Sequence, residues 1–307
     1  MNIRTLSVVT SQERTHTVAA RRGPTFRRRA LGKELRMLRE RTGITIKEAA
    51  TGLGFSETKL SRVETGHNNL PRVEDLEGLL DRYGVTDIDQ RDTMLNLHRE
   101  SLSRDPYVSF QNMALPGMPM YASLESDARE IRAWHPMYVF GLLQCESYMR
   151  AQFTISKPVN ETTTQFIENN VRLRMERKNV LTRQDDPVAL CVVLDESVLR
   201  RVIGSPEVMK RQYAELHRLC ALDNVTVQVL PLRNGCYRAG SDFAILNFGA
   251  SMDSVVYMDD STGFTVTDRE FDILQYNRRL DAMRSEALGP SATPALLESL
   301  AKELESA

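Results

Sequence analysis

Lys59 and Arg62 stand three residues apart in the short polar run Ser56-Glu57-Thr58-Lys59-Leu60-Ser61-Arg62-Val63-Glu64-Thr65. On a helix that spacing brings two cations to one side, where each could donate to guanine O6 and N7 in a DNA major groove. Glu57 accepts only from a cytosine or adenine amino group, or turns toward Arg62 or Lys59, and the internal contact is the one expected. Thr58 suits a thymine methyl or a phosphate. Leu60 and Val63 point inward, so the rest of the helix is a polar surface on few apolar anchors. Ser56 is placed to cap it, and Gly54 just before supplies the positive φ of a turn. With Ile46 to Leu53 as a preceding short helix carrying small residues at Ala49, Ala50 and Gly52, the stretch Thr45 to Gly66 reads as two helices crossing closely, a helix-turn-helix.

Other residues with chemical potential are less organised. Asp195-Glu196 and Asp259-Asp260 follow apolar runs that read as strands, but adjacent acids on a strand end point apart, and caps or solvated acids are the expectation. His135 and His217 have no HExxH or Ser/His/Asp arrangement within reach. Cys145, Cys191, Cys220 and Cys236 form no CxxC pair, so buried reduced thiols are expected rather than a zinc or redox site. No catalysis, no metal and no cofactor are expected.

The chain has 307 residues, 41% hydrophobic, with 40 Lys+Arg against 41 Asp+Glu. That near balance hides an asymmetry. Up to Gly66 there are 14 basic and 6 acidic residues, leaving 26 of the 40 and 35 of the 41 for the remainder. A basic head on an acidic body suits one module that meets phosphates and one that does not. No run approaches the apolar length of a membrane span, and no cleavable leader is recognised at the start, so a cytoplasmic protein is expected.

These residues must be positioned by flanking elements. Residues 1–23 read as a flexible basic arm with Arg4, Arg14, Arg21 and Arg22. A DNA-binding domain is expected over 24–104, all-α, with five helices. Its first helix has Leu31, Leu35 and Leu38 as a stripe and Arg27, Arg28 and Arg29 at its start, facing phosphates with Ser56 and Ser61. After Gly66 the loop His67, Asn68, Asn69 could hold a phosphate with its amides and side chains. Two more helices follow, one on Val73, Leu76, Leu79 and Leu80, the other on Ile88, Met94, Leu95 and Leu97. Residues 105–120 read as a linker, 121–288 as an α/β or α+β domain, and 289–307 as a tail with a short helix. In the second domain Leu124, Ala128, Ile131 and Trp134 mark a helix. Further helices are expected from about Glu146, at Thr162 to Arg183, and around Glu207 to Ala221. Strands are expected at VALCVVLDES, NVTVQVLPL, DFAILNF and SVVYMDD.

The segment LGKELRMLRERTGITIKEAATGLGFSETKLSRVETG resembles the λ/434-repressor-like (XRE) class of DNA-binding domains. The resemblance implies a buried pair between Arg39 and Glu64 and base-facing positions at Glu57, Thr58, Lys59 and Arg62. It departs at Ile46, where such domains often carry a phosphate-binding Gln, so Thr45 or Lys47 would have to make that contact. The elements AREIRAW, FGLLQCESYMRA, VVLDESVLRR, VTVQVLPL and VVYMDD resemble the C-terminal domain of an actinobacterial regulator family, the antitoxin-like or WhiJ-like group. Its Pro-Gly-Leu-Leu-Gln-Thr motif is Phe140-Gly141-Leu142-Leu143-Gln144-Cys145 here. That likeness implies a transcription factor of development or secondary metabolism, often encoded beside a small partner protein. A surface for such a partner or an effector is expected at Tyr138, Phe140, Leu142, Leu143, Gln144 and Tyr148. The combined expectation is a homodimer on a double-stranded, near-palindromic operator. The rival is an antitoxin-like adapter whose target is a protein.

Overall fold

Residues 24–102, 107–110, 113–115, 117–249, 253–260 and 263–306 are described by a computed structural model. The basic arm expected over residues 1–23 lies outside them.

In the first domain, α1 (Pro24–Thr42) turns Leu31, Leu35 and Leu38 inward, as spacings of four and three dictate. It is followed by α2 (Ile46–Ala50), α3 (Glu57–Glu64), α4 (Val73–Arg82) and α5 (Ile88–Ser101). Ala49, Ala50, Leu60, Val63, Leu76, Leu79 and Met94 close one core among the five helices. Ile88, expected to pack, is 75% exposed, because it is the first residue after the N-cap Asp87 and its side chain overhangs solvent.

The second domain comprises α6 (Met118–Asp127), β1 (Glu130–His135), α7 (Glu146–Asn160), α8 (Thr164–Arg177), β2 (Ala189–Asp195), α9 (Glu196–Arg200), α10 (Pro206–Cys220), β3 (Val225–Leu230), β4 (Phe243–Asn247), β5 (Val255–Asp260), β6 (Gly263–Thr267), α11 (Glu270–Glu286) and α12 (Thr293–Ser306). One six-stranded sheet runs β3-β2-β1-β4-β5-β6. The β1, β2 and β3 strands are parallel and joined through helices, whereas β4, β5 and β6 continue the sheet antiparallel. Ile131, Ala133, Val192 and Leu194 face the larger core with Leu216 of α10 and Leu297 of α12. Trp134, Val193, Phe243 and Val256 face Leu280 and Met283 of α11. The domain is therefore α/β, with helices on both faces of a mixed sheet.

Three expectations are corrected. Ile131 and Trp134 do not continue a helix; EIRAWH is the central strand. Its polar Arg132 hid the strand, and the structure answers that residue with Asn277 and Asp281 on α11. Within 105–120, Tyr107, Phe110, Ala114 and Met118 are buried in the second core, so this segment packs rather than links. In 289–307 the expected helix is present as α12, but it is not a tail: it buries Leu297 and Leu300 in the same core, and the Thr293 hydroxyl donates to the Val227 carbonyl at 2.8 Å. The two domains meet along α1: Ala30 packs on the larger core, Arg29 donates to Asp268 at 2.9 Å, and Lys33 pairs with Asp253.

Candidate functional site

The outward face of α3 is held by close backbone packing. A Cβ on Gly32 would stand 2.3 Å from the Val63 carbonyl oxygen, so α1 and α3 touch main chain to main chain. At the end of α3, Gly66 has φ +72° and would place a Cβ 2.5 Å from Arg29 Cγ. Arg39 on α1 then grips Glu64 in a fork, Nε to Oε1 at 2.7 Å and Nη2 to Oε2 at 2.9 Å, while Nη1 donates to the Ile44 carbonyl at 3.1 Å. The hydrogen bond to Glu64 is the main reason the Arg39 guanidinium binds its proton more tightly than usual. Arg82 of α4 had no sequence expectation attached. It donates to the carbonyls of Glu48 at 2.6 Å and Ala49 at 3.2 Å, and to that of Thr51, satisfying the C-terminal carbonyls of the five-residue α2.

On this frame Ser56, Glu57, Thr58 and Arg62 are exposed, and Lys59 and Ser61 are half-buried. Ser56 accepts from the Lys59 amide at 3.1 Å, capping α3. Among the described residues no ion pair joins Glu57 to Lys59 or Arg62; the Lys59 ammonium lies 4.5 Å from the centre of the Phe55 ring instead. Thr45 is taken up in a capping box, its amide and hydroxyl both donating to Glu48 Oε2 at 2.7 and 2.8 Å, which leaves Lys47 exposed and Ile46 packing on the core. The loop after α3 is less open than expected. The amides of His67 and Asn68 both donate to the Arg62 carbonyl, at 2.8 and 3.0 Å, so neither is offered outward; His67 is exposed, whereas Asn68 and Asn69 are half-buried and the Asn69 Oδ1 is enclosed. Burial, then Arg29 and Arg62, hold His67 below its ordinary pKa, so it stays neutral. Of the three arginines, Arg27 pairs with Glu100 at 2.8 Å, Arg28 is half-buried, and Arg29 is 8% exposed and turned to Asp268 and, at 3.5 Å, the Thr65 carbonyl.

A second feature lies in the α/β domain. A cavity of about 550 Å³ opens between β1, β4, β5, α7, α8 and the loop after β1, bordered by His135, Gln144, Arg174, Arg177, Asp242 and Tyr257 among others. Arg177 is 3% exposed and forked onto Glu125, itself fully buried, at 2.8 and 3.0 Å. Burial opposes its charge, but Glu125 outweighs that, and the guanidinium is held more strongly protonated than usual. Burial, with Arg174 and Arg177 adding to it, pushes His135 down to about 3, so its ring is neutral.

A family model described as a domain of unknown function, DUF5753, matches residues 118–299. The chain belongs to the DUF5753 family. A second model, described as a helix-turn-helix domain, matches residues 30–94. Comparison with curated proteins and comparison with solved structures each returned no significant match. The DUF5753 match opens at α6 and runs into α12. Among the described residues no helix is long and apolar enough to cross a membrane.

Within the DUF5753 domain the residues expected to form a partner surface are placed mostly inside. Leu142, Leu143 and Tyr148 are fully buried core side chains, because the loop after β1 folds down over α8 and α10. Tyr138, Phe140 and Gln144 border the cavity instead. The expected acids are local fixtures: Asp195 caps α9 through the Ser197 amide at 3.0 Å and accepts from Arg238 at 3.0 Å, while Glu196 accepts from Arg200 at 2.6 Å. The side chains of Asp259 and Asp260 lie outside the described residues. His217 is on the surface, 3.8 Å from Glu298. Arg174 and Arg177 were not singled out from the sequence, although Phe166, Asn170, Arg174 and Arg177 keep helical spacings of four, four and three.

Proposed function

We propose that the chain is a sequence-specific DNA-binding transcriptional regulator whose α3 enters the major groove. Glu57, Thr58, Lys59 and Arg62 face base edges, with Lys47, Ser56, Ser61 and the side chains of the His67 loop toward the phosphates. The observation that carries this is the Arg39–Glu64 fork, which fixes the orientation of a helix whose outer face is exposed and polar. A homodimer on a near-palindromic site fits a reader this short, since one α3 covers only a half-site.

The second domain binds an effector that alters DNA affinity. The support is Arg29, which donates at once to the Thr65 carbonyl at the end of α3 and to Asp268 of the DUF5753 domain, so movement at Asp268 is felt by the reading helix. The test begins with selection of bound duplexes from a random pool, followed by affinity measurement. Arg62→Ala is expected to cost about 1–3 kcal/mol and to relax one base position, and six or so phosphate contacts give a salt slope near about −5. A pool that yields no preferred sequence, or an affinity indifferent to Arg62, would turn the reading to the protein adapter.

A further inference from the structure

The outer face of α11 carries bulk at one end and space at the other. Phe271, Leu274, Gln275, Arg278, Ala282 and Ser285 recur at helical spacings and form one stripe, opposite the core residue Leu280. At its N-terminal end Phe271 and Leu274 are 70% and 47% exposed, two large apolar side chains that gain from being covered. At its C-terminal end stand two small exposed residues, Ala282 and Ser285, which with Arg233, Cys236 and Tyr237 line an open groove of about 670 Å³. The groove is pre-formed. Asn234 Nδ2 donates to the Glu286 carbonyl at 2.8 Å, Arg238 Nη1 donates to the Asn234 carbonyl at 2.7 Å, and Cys236 packs on the core under α11, so the loop is pinned to the helix. Tyr237, 50% exposed, gives it an aromatic wall.

Phe271 and Ala282 lie about 17 Å apart along the helix and within about 20° of the same direction. A second copy of the chain, turned about a two-fold axis across the middle of α11, therefore brings each Phe271 to the other copy's groove, large onto small at both ends. A parallel pair would set Phe271 against Phe271 and leave both grooves open. The charges agree with the antiparallel choice. Glu270 precedes Phe271 and Arg233 stands at the groove, both exposed, and among the described residues neither is held in a hydrogen bond or ion pair; Arg233 acts on Glu196 from beyond contact. The same rotation carries Glu270 of one copy toward the partner's Arg233. Arg278 falls close to the axis, where two guanidinium groups face each other and weaken the contact.

We propose that α11 and the loop 233–237 form a homodimer interface, two copies of the chain packing antiparallel with Phe271 of each in the groove of the other. This rests on the homodimer reading above and says where that dimer forms. One helix of 17 residues and a short loop make a patch at the lower end of specific interfaces, so a reversible dimer dissociating in the micromolar range is expected. Sedimentation velocity of the full chain without DNA, over a concentration series, tests it. Phe271→Asp and Ala282→Arg, at exposed positions on opposite ends of the stripe, should each weaken self-association at least about ten-fold, with melting by circular dichroism showing that each variant stays folded. Glu270→Arg and Arg233→Glu should each weaken it about three-fold or more, and the double exchange should restore it. Arg278→Leu should tighten it. Val159→Asp, on an equally exposed apolar position of α7, serves as the unchanged control. A chain that stays monomeric would overturn the interface and the homodimer reading together, while the reading of bases by α3 stands or falls by the selection of duplexes. A dimer indifferent to Phe271→Asp and Ala282→Arg, a double exchange that restores nothing, or an Arg278→Leu variant that dissociates more readily would overturn this interface and leave the homodimer to another surface.

Discussion

Two arginine–glutamate forks, Arg39–Glu64 in the first domain and Arg177–Glu125 in the second, share nearly the same geometry and differ in their surroundings. Side-chain exposure is 11% and 3% in the first pair, against 3% and 0% in the second. Water still reaches Arg39, so its pair ties α1 to the end of α3 at moderate desolvation cost. The second pair joins α8 to α6 with almost no exposure, so each charge leans more heavily on the other. Identical chemistry thus orients a surface helix in one domain and stiffens a cavity wall in the other.

That contrast can be broken by mutation. Glu125→Ala should lose about 3–5 kcal/mol of stability in urea denaturation, since it strands a buried guanidinium. Joint replacement by Glu125→Leu and Arg177→Met should recover most of the loss. Glu64→Ala should cost less, about 2–3 kcal/mol, yet lower DNA affinity in a protein that remains folded, because α3 is no longer held. If Glu64→Ala proved the more destabilising of the two, burial would not be what separates the pairs.

A smaller effect is expected from pH. The folded-state value of His135, about 3, lies below its ordinary value, so between the two the unfolded chain holds a proton that the folded chain lacks. Stability should therefore rise with pH across that window and fall on acidification below about 6.5, by up to about 1.4 kcal/mol per pH unit. His135→Gln should flatten that part of the profile measured from pH 7 to 5. A slope unchanged by the substitution would mean that burial, with Arg174 and Arg177 adding to it, does not hold the His135 ring neutral.

How much of this was readable beforehand depends on how local each feature is. The Ser56 cap and the inward positions of Leu31, Leu35, Leu38, Leu60 and Val63 follow from spacings within one or two turns. The Thr45–Glu48 capping box is equally local, a threonine followed three residues later by a glutamate. The central strand is hidden in the sequence because Ile131 and Trp134 have helical spacing and Arg132 breaks the apolar alternation. Only α11, more than a hundred residues later, supplies the partners that let Arg132 sit in a sheet. Residues 105–120 carry no regular period, and Tyr107 and Phe110 become core only when the second domain closes over them.

From its sequence alone, the chain determines an N-terminal helix-turn-helix with a polar reading face and an α/β domain after it, since hydrophobic period, caps and turn glycines act between near neighbours. The tertiary structure decides which charges remain available. Folding commits Arg29 to Asp268 and Arg82 to the end of α2, and it gathers His135, Gln144, Arg174 and Tyr257 from separate elements around one cavity. Those assignments depend on which distant groups meet and how much water is excluded between them, and neither quantity is carried by residue spacing along the chain.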